Sequence, residues 1–109
     1  AEVLVRGAQE IAVDITCRVR SLAGYSQGAV TAAITTSLDI LFTDYFIGQR
    51  VEESEILSTI GNTTGVSSVL SPLTWFQSSD GLLTKDELGG LAIPATSYAV
   101  LGTLTVTFV

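Results

Sequence analysis

The feature that most constrains the fold is the pair of alternating segments near the two ends of the chain. Within residues 9–20 the apolar residues Ile11, Val13, Ile15, Cys17 and Val19 all fall on one phase. At the other end, Leu104, Val106 and Phe108 alternate with Thr103, Thr105 and Thr107. A period of two residues is typical of a strand with one buried face and one open face. Both segments therefore predict strands of a sheet that is covered on one side.

A helical period replaces the alternation between residues 27 and 46. Ser26 is placed to cap the start of this helix, and Gly48 is a natural stop after its end. The apolar residues recur at spacings of three and four and form one stripe: Val30, Ala33, Ile34, Leu38, Leu41, Phe42 and Tyr45. The pattern predicts a long amphipathic helix over 27–46, followed by a short extended link at 49–51.

A second, shorter helix is predicted over residues 53–61, with Ile56, Leu57 and Ile60 facing inward. Glutamates crowd its first turn, where the helix dipole and the unpaired amides favour negative charge. We interpret that cluster as helix stabilisation and not as a metal site, because hard cations need more converging oxygens.

The order of the elements predicts an α+β two-layer sandwich, a variant of the ferredoxin-like arrangement. Residues 66–77 form a further strand, in which Pro72 marks an edge or a bend, and 78–100 form an irregular excursion. Two helices would then cover one face of a small antiparallel or mixed sheet. The open face would carry the predicted partner-binding residues: Thr16, Arg18, Thr103, Thr105 and Thr107.

The residue types present argue against an enzyme. The chain has no histidine and one cysteine, Cys17, which lies on the apolar phase and is interpreted as a small buried hydrophobe. Asp14, Asp39 and Asp44 are the carboxylates nearest the core elements, and all lie on polar phases, where solvation accounts for them. No catalytic, cofactor-binding or metal-ligating residue is therefore assigned, and neither a cofactor nor a small-molecule substrate is expected.

One segment imitates a calcium loop. Residues 80–88 resemble the second half of an EF-hand, with Gly81 at the sixth loop position and Glu87 at the twelfth. The first position would then be Phe76, where an aspartate ligand is needed. We interpret the segment as a solvent-exposed turn.

The charge balance limits the class of partner. The formal net charge is −6, and only 15% of the residues are charged. Nucleic acids and anionic membranes attract clustered Lys and Arg, which this chain lacks, and no apolar run is long enough to span a bilayer. A surface of Thr, Ser, Gly and Ala is cheap to desolvate, so the composition favours burial against another protein.

The ordered signals together resemble a known family. They are IAVDI at 11–15, GYS at 24–26, DYF at 44–46, IGQRV at 47–51, SEILSTI at 54–60, GVSSV at 65–69, LAIP at 91–94 and LGTLTV at 101–106. In this order and spacing they are similar to the C-terminal domain of the baseplate J-like family, wedge proteins of contractile phage tails and related injection machines. The resemblance covers nearly the whole chain.

The resemblance implies a structural role. It implies docking to other baseplate or tail proteins and to copies of the chain itself, in the wedge around the tail tube. It also implies a place in the virion tail baseplate, after assembly in the host bacterial cytoplasm. Residues 1–109 would be one domain, the C-terminal part of a longer polypeptide. The family has no catalytic residues to transfer.

Two other readings remain open at this point. A ferredoxin-like module that binds a small ligand or regulates another protein would fit if residues 49–51 counted as a strand, and a pocket with converging polar groups would favour it. An enzyme that uses carboxylates alone is the second alternative.

Overall fold

A computed structural model describes residues 9–109 and confirms the predicted fold class, a small α+β two-layer sandwich. Residues 1–8, which the predicted single domain includes, lie outside the described part. The elements follow the chain as β1 (Gln9–Ser21), α1 (Gln27–Thr43), β2 (Val51–Glu52), α2 (Glu53–Gly61), β3 (Val66–Ser78), β4 (Gly90–Leu91) and β5 (Ser97–Phe108).

Among residues 9–109 the main sheet is mixed and has three strands in the order β3-β1-β5. The central strand β1 runs antiparallel to β3 and parallel to β5. A parallel pair needs a crossover connection, and everything between β1 and β5 supplies it. Pro72 therefore lies on an edge strand, as predicted.

The core lies between the sheet and the two helices. Val13, Ile15, Cys17 and Val19 of β1 are fully buried. They meet Val30, Ile34, Leu38 and Phe42 of α1 and Ile56 and Ile60 of α2. Burial raises the pKa of the Cys17 thiol to about 11, so the thiol stays protonated at neutral pH. Cys17 is thus the buried residue that its phase predicted.

The first helix starts as predicted and ends earlier. The Ser26 hydroxyl accepts a hydrogen bond from the Ala29 amide at 3.1 Å, which makes Ser26 the N-cap. The helix ends at Thr43 and not at 46, because the Asp44 and Tyr45 amides donate to carbonyls three residues back. Tyr45 nevertheless stays buried, edge-on to Phe42.

The excursion is shorter than predicted. β3 runs on to Ser78 and β5 begins at Ser97, so the irregular part is confined to 79–96 and contains β4. The start of β5 is not evident from the sequence, because its first residue, Ser97, is small and polar and yet is buried in the strand. The expected link at 49–51 is also partly a strand, since β2 pairs with β4 in a separate two-stranded ribbon.

Ion pairs hold the 79–96 segment beside β2 and the start of α2. The Arg50 guanidinium bridges Glu52 at 2.7 Å and Asp86 at 2.6 Å, and Lys85 pairs with Glu53 at 3.1 Å. The Asp86 carboxylate also accepts hydrogen bonds from the Leu88 and Gly90 amides, so it stabilises the turn that follows it. Two carboxylates of the segment that resembles a calcium loop are therefore engaged locally, Asp80 in a turn and Asp86 in a turn and an ion pair. No helix among residues 9–109 is long and apolar enough to cross a membrane.

The core assignment is tested by truncation. Leu38→Ala and Ile56→Ala should each lower the free energy of unfolding by about 2–5 kcal/mol, because each leaves a cavity where both helices meet the sheet. Ile40→Ala is the control: its side chain is 61% exposed, and its change should stay within about 0.5 kcal/mol. Urea unfolding measures all three, and near-neutral values for Leu38 and Ile56 would show that the helix phases are wrong.

The Arg50–Asp86 pair should make stability depend on pH. The hydrogen bond from the Arg50 guanidinium holds the pKa of Asp86 well below its ordinary value. A carboxyl with a depressed folded-state pKa contributes stability above its unfolded pKa of about 4 and loses it as the pH falls below that value. Asp86→Asn should therefore lower the urea midpoint at pH 7, and its deficit should shrink toward about pH 2.

Glu87→Gln is the control for that change, because Glu87 is the exposed neighbour of Asp86 and forms no ion pair within the described residues. A deficit of Asp86→Asn that stays constant from pH 7 to acid would contradict the role assigned to the pair.

Candidate docking surface on the open face of the sheet

The strand register brings the predicted partner-binding residues onto one face. Thr16 of β1 lies between Trp75 of β3 and Thr105 of β5. Arg18 lies between Leu70 of β3 and Thr107 of β5. Residues paired across neighbouring strands project from the same side of a sheet. The five predicted residues, Thr16, Arg18, Thr103, Thr105 and Thr107, are therefore neighbours, and we call their surface the open face.

Burial on the open face follows strand position. Thr103, Thr105 and Thr107 are exposed, because β5 is an edge strand within residues 9–109. Thr16 and Arg18 are half-buried, because both neighbouring strands shield the central one. Arg18 Nη2 donates to the Pro72 carbonyl at 3.5 Å, and Arg18 Nε is buried without an acceptor among residues 9–109. The Arg18 guanidinium therefore keeps unused hydrogen-bonding capacity.

Trp75 is the residue of this face that sequence reasoning missed. Its side chain is 50% exposed beside Thr16, although Phe76 next to it is buried. The alternation of β3 is broken because the pairing jumps from Trp75–Thr16 to Leu70–Arg18. A half-exposed Trp is a residue type enriched at protein interfaces. The sequence did contain an indication of this, because adjacent strand residues such as Trp75 and Phe76 are expected to point to opposite faces of the sheet.

A bulge in β5 decides which side chains reach the open face. Val13 pairs with Leu101 and Ile15 pairs with Leu104, so β5 has one extra residue opposite Asp14. Without that residue, Thr103 would pair with Ile15 and point into the core. A shift of one residue exchanges the two faces of a strand. The bulge is thus what turns Thr105 and Thr107 outward.

Asp14 holds this bulge in place. Its Oδ1 accepts hydrogen bonds from the Thr103 amide at 2.9 Å and from the Ser79 hydroxyl at 2.6 Å. A Cβ at Gly102 would lie 2.6 Å from the same oxygen, so the approach requires glycine. The expectation that Asp14 is simply solvated is therefore corrected: its carboxylate joins β1 to the bulge of β5 and to Ser79, the residue that follows β3. Asp39 and Asp44, by contrast, are exposed.

The described residues include a shallow cavity that is small for a ligand. An open cavity of about 150 Å³ lies between the end of α1 and β5, lined by Asp39, Phe42, Thr43, Val100 and Leu101. Pockets for small molecules usually enclose about 300–1,000 Å³. Among residues 9–109, no group of three or more metal-ligating side chains lies together.

The Asp14 contact predicts a stability loss with a local signature. Asp14→Ala should lower the free energy of unfolding by about 1–3 kcal/mol, because the Thr103 amide loses its acceptor. Gly102→Ala should act in the same direction through its clash with Asp14. Both changes should speed maleimide labelling of Cys17, which pairs with Val106 just beyond the bulge.

Asp44→Ala removes an exposed carboxylate and is the matched control for that experiment. Equal stability and equal Cys17 labelling in Asp14→Ala and Asp44→Ala would refute the assigned contact.

Comparison with known proteins identifies a family whose model matches this chain. The family model described as Baseplate J-like protein C-terminal domain matches residues 13–107. The match begins within β1 and ends within β5, so it includes both helices and nearly all of the sheet. No curated protein matches the chain.

Proposed function

The chain belongs to the baseplate J-like family, as its C-terminal domain, and we propose that it acts by docking to neighbouring proteins in the wedge around the tail tube. The family is a structural component of phage tails, so the role of this chain is structural, in a phage tail baseplate. The family is not known for enzymatic activity. The proposal adds the surface through which the domain works.

The observation that carries the proposal is the edge of β5 beyond its bulge, beside the open face. Within residues 9–109, β5 is an edge strand, and residues 104–108 contain no Lys, Arg or Pro and pair with β1 without a further register shift. Natural monomers usually protect such edges with charge, proline, a bulge or a cover. The β5 edge therefore offers backbone hydrogen-bonding groups to a strand of another chain.

The open face adds side-chain contacts to that edge. Thr105 and Thr107 present hydroxyls and methyl groups that are inexpensive to desolvate, and Trp75 supplies a large, half-exposed anchor. Arg18 lies on the same face, with its side chain half-buried beside the Pro72 carbonyl. An apolar centre with hydroxyls and an arginine resembles the composition of protein interfaces.

Several finer statements belong to this proposal. The partners are other baseplate or tail proteins and copies of the chain itself. The domain is the C-terminal part of a longer polypeptide, which is assembled in the host bacterial cytoplasm and ends in the virion tail baseplate. The net charge of −6 supports a protein partner over nucleic acid or a membrane surface.

The test is to place lysine on the exposed positions of β5. Thr105→Lys and Thr107→Lys, singly and together, should leave the thermal midpoint nearly unchanged, because both sites are exposed. Incorporation into purified particles, measured by quantitative mass spectrometry, should fall because a hydrated ammonium blocks strand pairing. Thr64→Lys, on an exposed turn, is the control that should incorporate normally.

Normal incorporation of the double lysine variant would overturn the proposed surface. The next surface to test would then be the 79–96 segment, where Leu82 and Leu88 are 81% and 80% exposed.

A further inference from the structure

The bend in β3 lies outside the regular pairing of that strand with β1. The register jumps between Leu70 and Trp75, so the four residues 71–74 lie opposite Cys17 alone. A backbone donor or acceptor in such a bulge needs a partner other than the neighbouring strand. The bend is therefore positioned by contacts that come from outside the strand ladder.

One peptide group of this bend is held from two sides. The Leu73 amide donates to Glu53 Oε2 at 2.8 Å, and the Pro72 carbonyl accepts from Arg18 Nη2 at 3.5 Å. The Pro72 carbonyl and the Leu73 amide belong to the same planar unit. Glu53 at the start of α2 and Arg18 on the open face therefore fix the orientation of one peptide plane.

The Glu53 carboxylate has little freedom to turn away from the bend. Its side chain is 12% exposed, and its other oxygen, Oε1, accepts from the Lys85 ammonium at 3.1 Å. With Lys85 on one oxygen, the second oxygen is directed at Leu73. Helix stabilisation is thus only part of what this first-turn glutamate does, because Glu53 also joins α2 to the bend of β3.

The orientation of this peptide plane bears on the open face. Trp75 follows Leu73 by two residues and is half-exposed beside Thr16, whereas the Leu73 side chain is buried. A bulge re-aims the side chains that follow it, because it changes the point at which the alternation of the strand resumes. The contact that holds Leu73 therefore also fixes the position of Trp75 relative to Arg18.

We propose that Glu53 is a positioning residue of the docking surface and acts through the Pro72–Leu73 peptide group on Trp75 and Arg18. This rests on the proposed docking function and names a residue outside the open face that keeps the anchors of that face in place. Binding surfaces depend on such supporting contacts, since a partner recognises groups that are held in one geometry. Loss of the contact leaves the Leu73 donor without its acceptor and frees the bend.

Three substitutions at this one position separate reach from charge. Glu53→Asp keeps the negative charge at the start of the helix but withdraws the carboxylate by one carbon–carbon bond, about 1.5 Å. Glu53→Gln loses the charge and keeps an oxygen at the original reach, and Glu53→Ala loses both. The Leu73 contact predicts that Glu53→Asp and Glu53→Ala disturb the bend and that Glu53→Gln preserves it. A role limited to the helix dipole predicts that Glu53→Gln is disturbed and Glu53→Asp is not.

Trp75 reports on the bend directly, because it is the single tryptophan of the chain. In Glu53→Asp and Glu53→Ala its emission should shift to longer wavelength and acrylamide should quench it more strongly, because a freed bend lets water reach the indole. Far-ultraviolet circular dichroism should stay unchanged, and Glu53→Gln should match the unmodified chain. Glu55→Ala is the control, since it removes another first-turn carboxylate, whose partner is the Tyr45 hydroxyl and not the bend.

Unchanged emission and quenching of Trp75 in both Glu53→Asp and Glu53→Ala would overturn the proposal. A larger change in Glu53→Gln than in Glu53→Asp, or an equal change in Glu55→Ala, would overturn it as well. If Glu53→Ala does not fold, the comparison of Glu53→Asp with Glu53→Gln decides the matter alone.

Incorporation into purified particles, measured by quantitative mass spectrometry, connects the bend to docking. Glu53→Asp should incorporate several-fold less than Glu53→Gln, and Glu55→Ala should incorporate normally. Normal incorporation of Glu53→Asp together with loss of Thr105→Lys/Thr107→Lys keeps the docking surface and rejects Glu53 as its positioning residue. Normal incorporation of Thr105→Lys/Thr107→Lys rejects the docking surface itself.

Discussion

The hydrogen bond from the Thr103 amide to the Asp14 carboxylate fixes the point at which the pairing of β1 with β5 changes phase. Before it, Leu101 faces the core opposite Val13; beyond it, Leu104 does so opposite Ile15. Because side chains alternate along a strand, this one residue decides whether the threonines of β5 meet the helices or the outside. The composition of both faces of the sheet follows from that choice.

The candidate surface is built on rigid elements. The central strand supplies fully buried side chains to the helical side and half-buried polar ones to the open face, so the same backbone anchors the core and positions Thr16 and Arg18. Ion pairs of Asp86 with Arg50 and of Lys85 with Glu53 hold the middle of the irregular 79–96 segment beside β2 and the start of α2. Contacts on strands are placed more accurately than contacts on loops, which suits a domain that assembles with others.

The local pattern of apolar and polar residues determined the main helices and strands of this protein. The alternation of β1, the Ser26 cap, the inward phases of both helices and the bounds of α2 could be predicted, because each depends on residues close in sequence. Tertiary structure decided how those elements meet: the parallel direction of β5, the β2–β4 ribbon, the exposure of Trp75 and the engagement of Asp14. A period of two residues identifies a strand and its buried phase. It does not specify which strand lies beside it in the sheet or in which direction that neighbouring strand runs. Those are fixed by pairing between residues as far apart as Asp14 and Thr103, where one bulge reassigns every side chain that follows.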